Sequence, residues 1–389
     1  MNMIMRIVRL IDSLVSRRAV AGLGLVSALY MAAACSTVTA STKVSDQAEK
    51  SPVAPYKFIT PILGNGADGL WDLISVGAAS RRLYLAQDGV TILDLDSGKV
   101  TPGFAKIEAF RGVISTHHAL EVNNGKVLAV TDIVKNSVDF YDLESGNKLS
   151  SVTLGPPPQD DWHDPDVLIH EPITDLLVTI NPDVGTLSLI DTKSFTKVGM
   201  ISIGKGELEA GIADGSGVLY VNEAEAGAIA VVDVAKREVV RTIPMNGCKD
   251  PTGMAYDAED GLLISVCANG LAKFVDAKSG EEIASVKVGV GADGIVYDPV
   301  RRFAFSFGGD DATLSIIAVK NRQDIALAQT LATQPGARLG ALDPKTGRVY
   351  IPSASFGPAA KPIDLPGIGV IPGMIPGSFE FLVVAPNTP

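Results

Sequence analysis

The chain has 389 residues, 46% of them hydrophobic and 20% charged, with a net charge of −11. That balance supports a large folded core and excludes a chain that is disordered along its length. An acidic body also argues against nucleic acid as a partner, because the phosphate backbone would be repelled.

Residues 1–35 read as a signal peptide. Arg6, Arg9, Arg17 and Arg18 form a basic n-region, and Ala19–Ala34 is an uncharged run of 16 residues ending in small side chains. The run is shorter than the about 20 apolar residues that a spanning helix needs. Ser16-Arg17-Arg18-Ala19-Val20 resembles a twin-arginine export motif, and Ala33-Ala34-Cys35-Ser36 resembles a bacterial lipobox. Three fates are open to the segment: lipid attachment at Cys35, plain cleavage near Ala40, or retention as an anchor. The expected location is the periplasm, or the outer membrane of a bacterium through a lipid. Loss of residues 1–34 removes four Arg and one Asp, which shifts the charge from −11 to −14. A flexible linker is expected over 36–54.

From residue 55 onward one unit repeats. A short apolar strand ends in Asp and runs into a polar turn: Thr-Ile-Leu-Asp94, Asp-Phe-Tyr-Asp142, Ser-Leu-Ile-Asp191, Ala-Val-Val-Asp233 and Lys-Phe-Val-Asp276. Ser-Ile-Ile-Ala318 and Phe-Leu-Val-Val384 are degenerate sixth and seventh copies. The steps are 48, 49, 42, 43, 42 and, across an insertion at 352–378, 66 residues. Units of this length fit four-stranded propeller blades. In the fifth unit the strands are expected at 252–256, 262–267, 271–275 and 282–288, bounded by Gly, Asp and Asn turns. The seventh unit lacks an outer strand, and a spare strand stands at Tyr56–Leu63. The expected fold is therefore all-β over 55–389: a seven-bladed β-propeller whose N-terminal strand closes the last blade and removes the open edges.

Leu219-Tyr-Val-Asn222, Ile229-Ala-Val-Val-Asp233 and Val239-Val-Arg-Thr-Ile-Pro244 resemble the YVTN-repeat (YncE-like) propeller family. So do Trp71-Asp72, Cys248-x-x-Pro251-Thr252-Gly253, Pro335-Gly-Ala-Arg338 and Ile375-Pro-Gly-Ser-Phe379. The resemblance covers 56–385. It implies an exported seven-bladed propeller and no particular chemistry.

Aligning the copies on their turns puts one residue per blade at the start of each inner strand: Asp72, His118, Asp166, Glu209, Thr252, Asp293 and Arg338. In blade one Asp68 competes with Asp72. Carboxylates held close resist joint ionisation, so a cation, a proton or an internal partner must offset them. Three readings follow. The mouth binds a small ligand, metal ion or protein partner without chemistry. Or it holds a divalent metal on Asp166, Glu209 and Asp293 for a hydrolase or lyase, with His118 as general base and Arg338 steadying an anion. Or Arg338 and His118 pair the acids in a water-filled funnel. No cofactor or nucleophile motif decides among them, and a monomer is expected. Gly-x-Gly-x-x-Gly at Gly64–Gly69 and Gly289–Gly294 precedes strands rather than helices, so neither reads as a dinucleotide fingerprint. Asp94-Leu-Asp96-Ser-Gly98 lacks the spacing of a calcium loop. Cys248 and Cys267 read as a disulfide near the same rim. The loop Pro156–Pro165, with Trp162 and His163, is expected there too.

Overall fold

The repeated Asp anchors are turn residues. In the computed structural model, Asp94 Oδ1 accepts from the Ser97 N–H (2.8 Å) and the Ser97 hydroxyl (2.7 Å). Gly98 then turns back with φ +73°, and its N–H donates to the Asp94 carbonyl at 2.8 Å. A positive φ is open to Gly at little steric cost. Asp142 and Asp191 repeat both bonds with Ser145 and Ser194, and Asp276 and Asp233 make the backbone half with Ser279 and Lys236. Side-chain acceptors that mimic a backbone turn explain why Asp recurs at this place. Ala318 has no such acceptor. In its blade the third and fourth strands run on to Thr313–Asn321 and Asp324–Ala332. There Asn321 Oδ1 takes the N–H groups of Gln323 (2.8 Å) and Asp324 (3.0 Å).

The structure describes residues 54–109, 114–156, 165–204, 206–358, 360–365 and 369–387. The expected leader, nearly all of the expected linker, and Trp162 and His163 of the loop at 156–165 lie outside the described residues. Seven four-stranded antiparallel sheets follow one another. Six take their strands in chain order. In the seventh the order is Ala341–Asp343, Arg348–Ser353, Glu380–Pro386 and Tyr56–Leu63, from the inside out. Each innermost strand lies against that of the next blade, and the last against the first, so the sheets form a closed ring. The N-terminal strand closes blade seven as expected. In blade five the strands are Pro251–Asp257, Leu262–Cys267, Leu271–Asp276 and Glu282–Lys287, within two residues of the expected spans. The insertion begins after Ser353, because Pro352 and Ser353 still pair with Glu380–Pro386. It carries a small hairpin, Ile363–Leu365 with Gly369–Ile371. No helix follows either glycine-rich stretch.

The core lies between blades. Leu262–Cys267 is buried along its whole length because blades flank both of its faces. Outer strands such as Lys148–Thr153 are mostly exposed. Turn chemistry also ties blades together. Asp276 pairs with Arg322 of blade six at 2.6 Å. Burial pushes the Asp276 carboxyl up, but the Ser279 N–H and the Arg322 guanidinium outweigh it and hold the carboxyl at about 2. A depressed folded-state pKa contributes stability that is present above the unfolded pKa, near 4, and lost as pH falls toward 2. Asp276→Asn is therefore expected to be less stable than the wild type at pH 7. The gap should narrow as pH drops from about 4 to 2, measured by urea denaturation; a gap independent of pH would remove the carboxylate from this account.

Candidate functional site

A bulge at the start of the inner strand aims the first side chains. Pairing with the second strand slips between Trp71 and Ile74, Leu208 and Gly211, Pro251 and Met254, and Ala292 and Gly294. Asp72, Glu209, Thr252 and Asp293 each sit inside one of these slips. A bulge re-aims a side chain away from strict alternation. Blades two and three do it differently. Their inner strands start late, at Ala119 and Leu168. The N–H groups of His117 and His118 both donate to Thr131 Oγ1, at 2.9 and 3.0 Å. The Asp166 N–H donates to the Ile180 carbonyl at 3.0 Å.

Five of these side chains form a continuous chain of contacts. Arg338 pairs with Asp293 at 2.7 Å and reaches Asp72 at 3.6 Å. Asp72 Oδ2 meets His117 Nδ1 at 2.6 Å. One donor atom each of Asp72, His117 and Asp166 lie within 4.8 Å of one another, and all three residues are buried. Among the described residues this is the one such group of three His, Cys, Asp or Glu donors. The chain thus joins three carboxylates, one guanidinium and one imidazole across blades six, seven, one, two and three.

The structure places the expected residues unevenly. Asp72, rather than Asp68, faces the group; Asp68 Oδ1 accepts from the Gly377 N–H of the insertion at 2.8 Å. His117, rather than His118, is the imidazole beside Asp72. His118 Nδ1 accepts the Leu168 N–H at 2.9 Å, and burial pushes its pKa down to about 4. The neutral ring therefore carries its proton on Nε2, and Nδ1 cannot take another without breaking that bond. This does not suit the general-base role that strand counting offered it. Thr252 is spent on structure: its hydroxyl donates to the Ala292 carbonyl of the next blade at 2.7 Å. Glu209 is buried in its bulge. Asp166, Glu209 and Asp293, the expected metal donors, do not form such a group; Asp166 groups with Asp72 and His117 instead.

Sequence reasoning also missed the support beside Asp72. The Trp71 ring packs on Phe379 (5.3 Å) and Phe356 (6.1 Å), so the base of the insertion is held against blade one. Cys248 and Cys267 are bonded, with Cα atoms 5.3 Å apart, as expected.

No protein-family model matches the chain. No curated protein matches it either. Solved structures do. A chain of "Crystal Structure of Mitotic Checkpoint Complex" is similar with a TM-score of 0.62 at 17% identity, over 81% of this chain and 96% of that one. A chain of Kuenenia stuttgartiensis hydrazine synthase is similar with a TM-score of 0.60 at 16% identity, over 74% of this chain and 92% of that one. Likeness at this identity is likeness of fold, and the site must be argued from its own residues.

Proposed function

We propose that the protein is an exported, non-catalytic binding propeller that takes a small cationic ligand where its inner strands begin. The observation that carries this reading is the buried chain Asp293–Arg338–Asp72–His117–Asp166, which among the described residues brings three carboxylates together with one guanidinium and one imidazole. Buried carboxylates are stable as anions only beside positive charge or good hydrogen bonds, so such a place favours cations over anions. The leader-like residues 1–35 and the Cys248–Cys267 bond support export, since disulfides persist in oxidising compartments. The hydrolase or lyase reading loses its base at His118.

The probe is a polyamine, spermidine, titrated into the protein by calorimetry. Each charge-assisted hydrogen bond that is lost should weaken binding about 10- to 100-fold. Asp72→Asn and Asp293→Asn are each expected to weaken spermidine in that range, and each also releases Arg338. A wild type that ignores spermidine, or variants that bind it equally well, would count against a cation-selective mouth.

A further inference from the structure

We infer that Asp72, His117 and Asp166 form a site for a first-row divalent transition-metal ion, of which Zn²⁺ is the type. The inference rests on the reading of the mouth as a cation site and makes it specific. The donors come from three consecutive blades, so no local turn brings them together. Packing of successive inner strands does, and their backbones are pinned. The His117 carbonyl accepts the Leu73 N–H at 3.1 Å, its N–H meets Thr131 Oγ1, and Asp166 is held by Ile180. Donors fixed in this way are preorganised for a small ion.

The distances suit such an ion. Bonds of about 2.0–2.2 Å place neighbouring donors about 3–3.5 Å apart, and the three atoms here already lie within 4.8 Å. The 2.6 Å contact between His117 Nδ1 and Asp72 Oδ2 is one that a proton bridges and a cation can bridge in its place. The donor set chooses the class. One imidazole and two carboxylates suit Zn²⁺ and its neighbours, whereas Ca²⁺ and Mg²⁺ prefer oxygen throughout. Arg338 leans on the other oxygen of Asp72, 3.6 Å away, but its shorter pairing is with Asp293. Three protein donors among the described residues, with a fourth position for water or a ligand atom, match the pattern of an open zinc site.

The test uses the whole exported chain, purified without chelator, assayed for metals, then stripped and titrated with ZnCl₂ and CaCl₂. Zn²⁺ is expected to bind one per chain and at least about 100-fold tighter than Ca²⁺. His117→Gln and Asp166→Asn should each weaken Zn²⁺ by at least about 100-fold, the upper end of what loss of a supporting hydrogen bond alone costs. Asp233→Asn, in an outer turn of blade four, should leave Zn²⁺ affinity unchanged. Anomalous scattering at the zinc edge, in crystals of the wild type, locates the ion without any variant. A wild type that takes up no Zn²⁺, a peak away from the three residues, or folded variants with wild-type affinity would each overturn the site. If spermidine still binds, the metal assignment falls alone; if it does not, the mouth reading falls with it.

Discussion

Tyr56→Ala is expected to lower folding stability by about 3–5 kcal/mol, the range for a fully buried aromatic side chain. Tyr56→Phe should be neutral or slightly stabilising. Tyr56 opens the strand that closes blade seven and is only 1% exposed. Its ring meets Phe305 and Phe303 of blade six edge-on, at 4.9 and 5.5 Å. Its backbone is clamped by one side chain: Gln329 Oε1 accepts the Tyr56 N–H at 3.0 Å, and Gln329 Nε2 donates to the Tyr56 carbonyl at 2.9 Å. The hydroxyl is buried and has no hydrogen-bond partner among the described residues, so burial raises its pKa. Removing an unsatisfied buried hydroxyl relieves a desolvation penalty, while removing the ring leaves a cavity at the seam of the ring of blades. Chemical denaturation of the two variants decides it. Equal losses for Phe and Ala would mean that the hydroxyl matters and the packing account is wrong.

Replacing Cys248 and Cys267 together by Ala should cost about 3 kcal/mol, because the bond closes a loop of 19 residues in the unfolded chain. The bond joins the turn before the inner strand of blade five to the end of its second strand, where Pro251 pairs with Cys267. Losing it should therefore loosen the rim at Thr252 before it loosens the outer strands. Hydrogen exchange of the Pro251–Asp257 amides, compared with Glu282–Lys287, reads that order. Wild type with reductant should match the double variant in denaturation midpoint. A midpoint unmoved by either change would show that the cross-link does not limit unfolding.

The sequence disclosed what local rules govern. An Asp that caps a turn, a Gly at positive φ and an alternating outer strand are each set by a few neighbouring residues, so the blades and their turns were legible. The spare strand at Tyr56–Leu63 was legible because the last unit was one strand short. The site was harder, since its geometry comes from departures from regularity. Counting along a strand assumes alternation, and at 117–118 the backbone bends around Thr131 before the strand begins, which swaps the two histidines. The bulges that hold Asp72, Glu209, Thr252 and Asp293 are at the same place in four blades, so alignment found those residues without knowing why they point where they do. That Thr252 is tied to Ala292, and that Asp166 keeps company with Asp72 and His117, depends on distances between blades. No single repeat contains that information. The ring of Trp71 against Phe356 and Phe379 depends on the insertion, whose Pro/Gly-rich sequence has no period to follow.

The two ends of the folded body meet in one sheet: Tyr56–Leu63 pairs with Glu380–Pro386, and the Asn387 N–H donates to the Pro55 carbonyl at 2.8 Å. Among the described strands Tyr56–Leu63 thus comes first in the chain and has no partner until Glu380–Pro386, the last of them, has been made. Six blades can form from neighbours in sequence, but the seam cannot, and contacts between distant parts of a chain form slowly. Until then, blade seven offers unpaired N–H and C=O groups to any other strand in reach. A chain of this design is most exposed to mispairing and aggregation before that seam closes, so its safe folding depends on timing as much as on the stability of the finished ring.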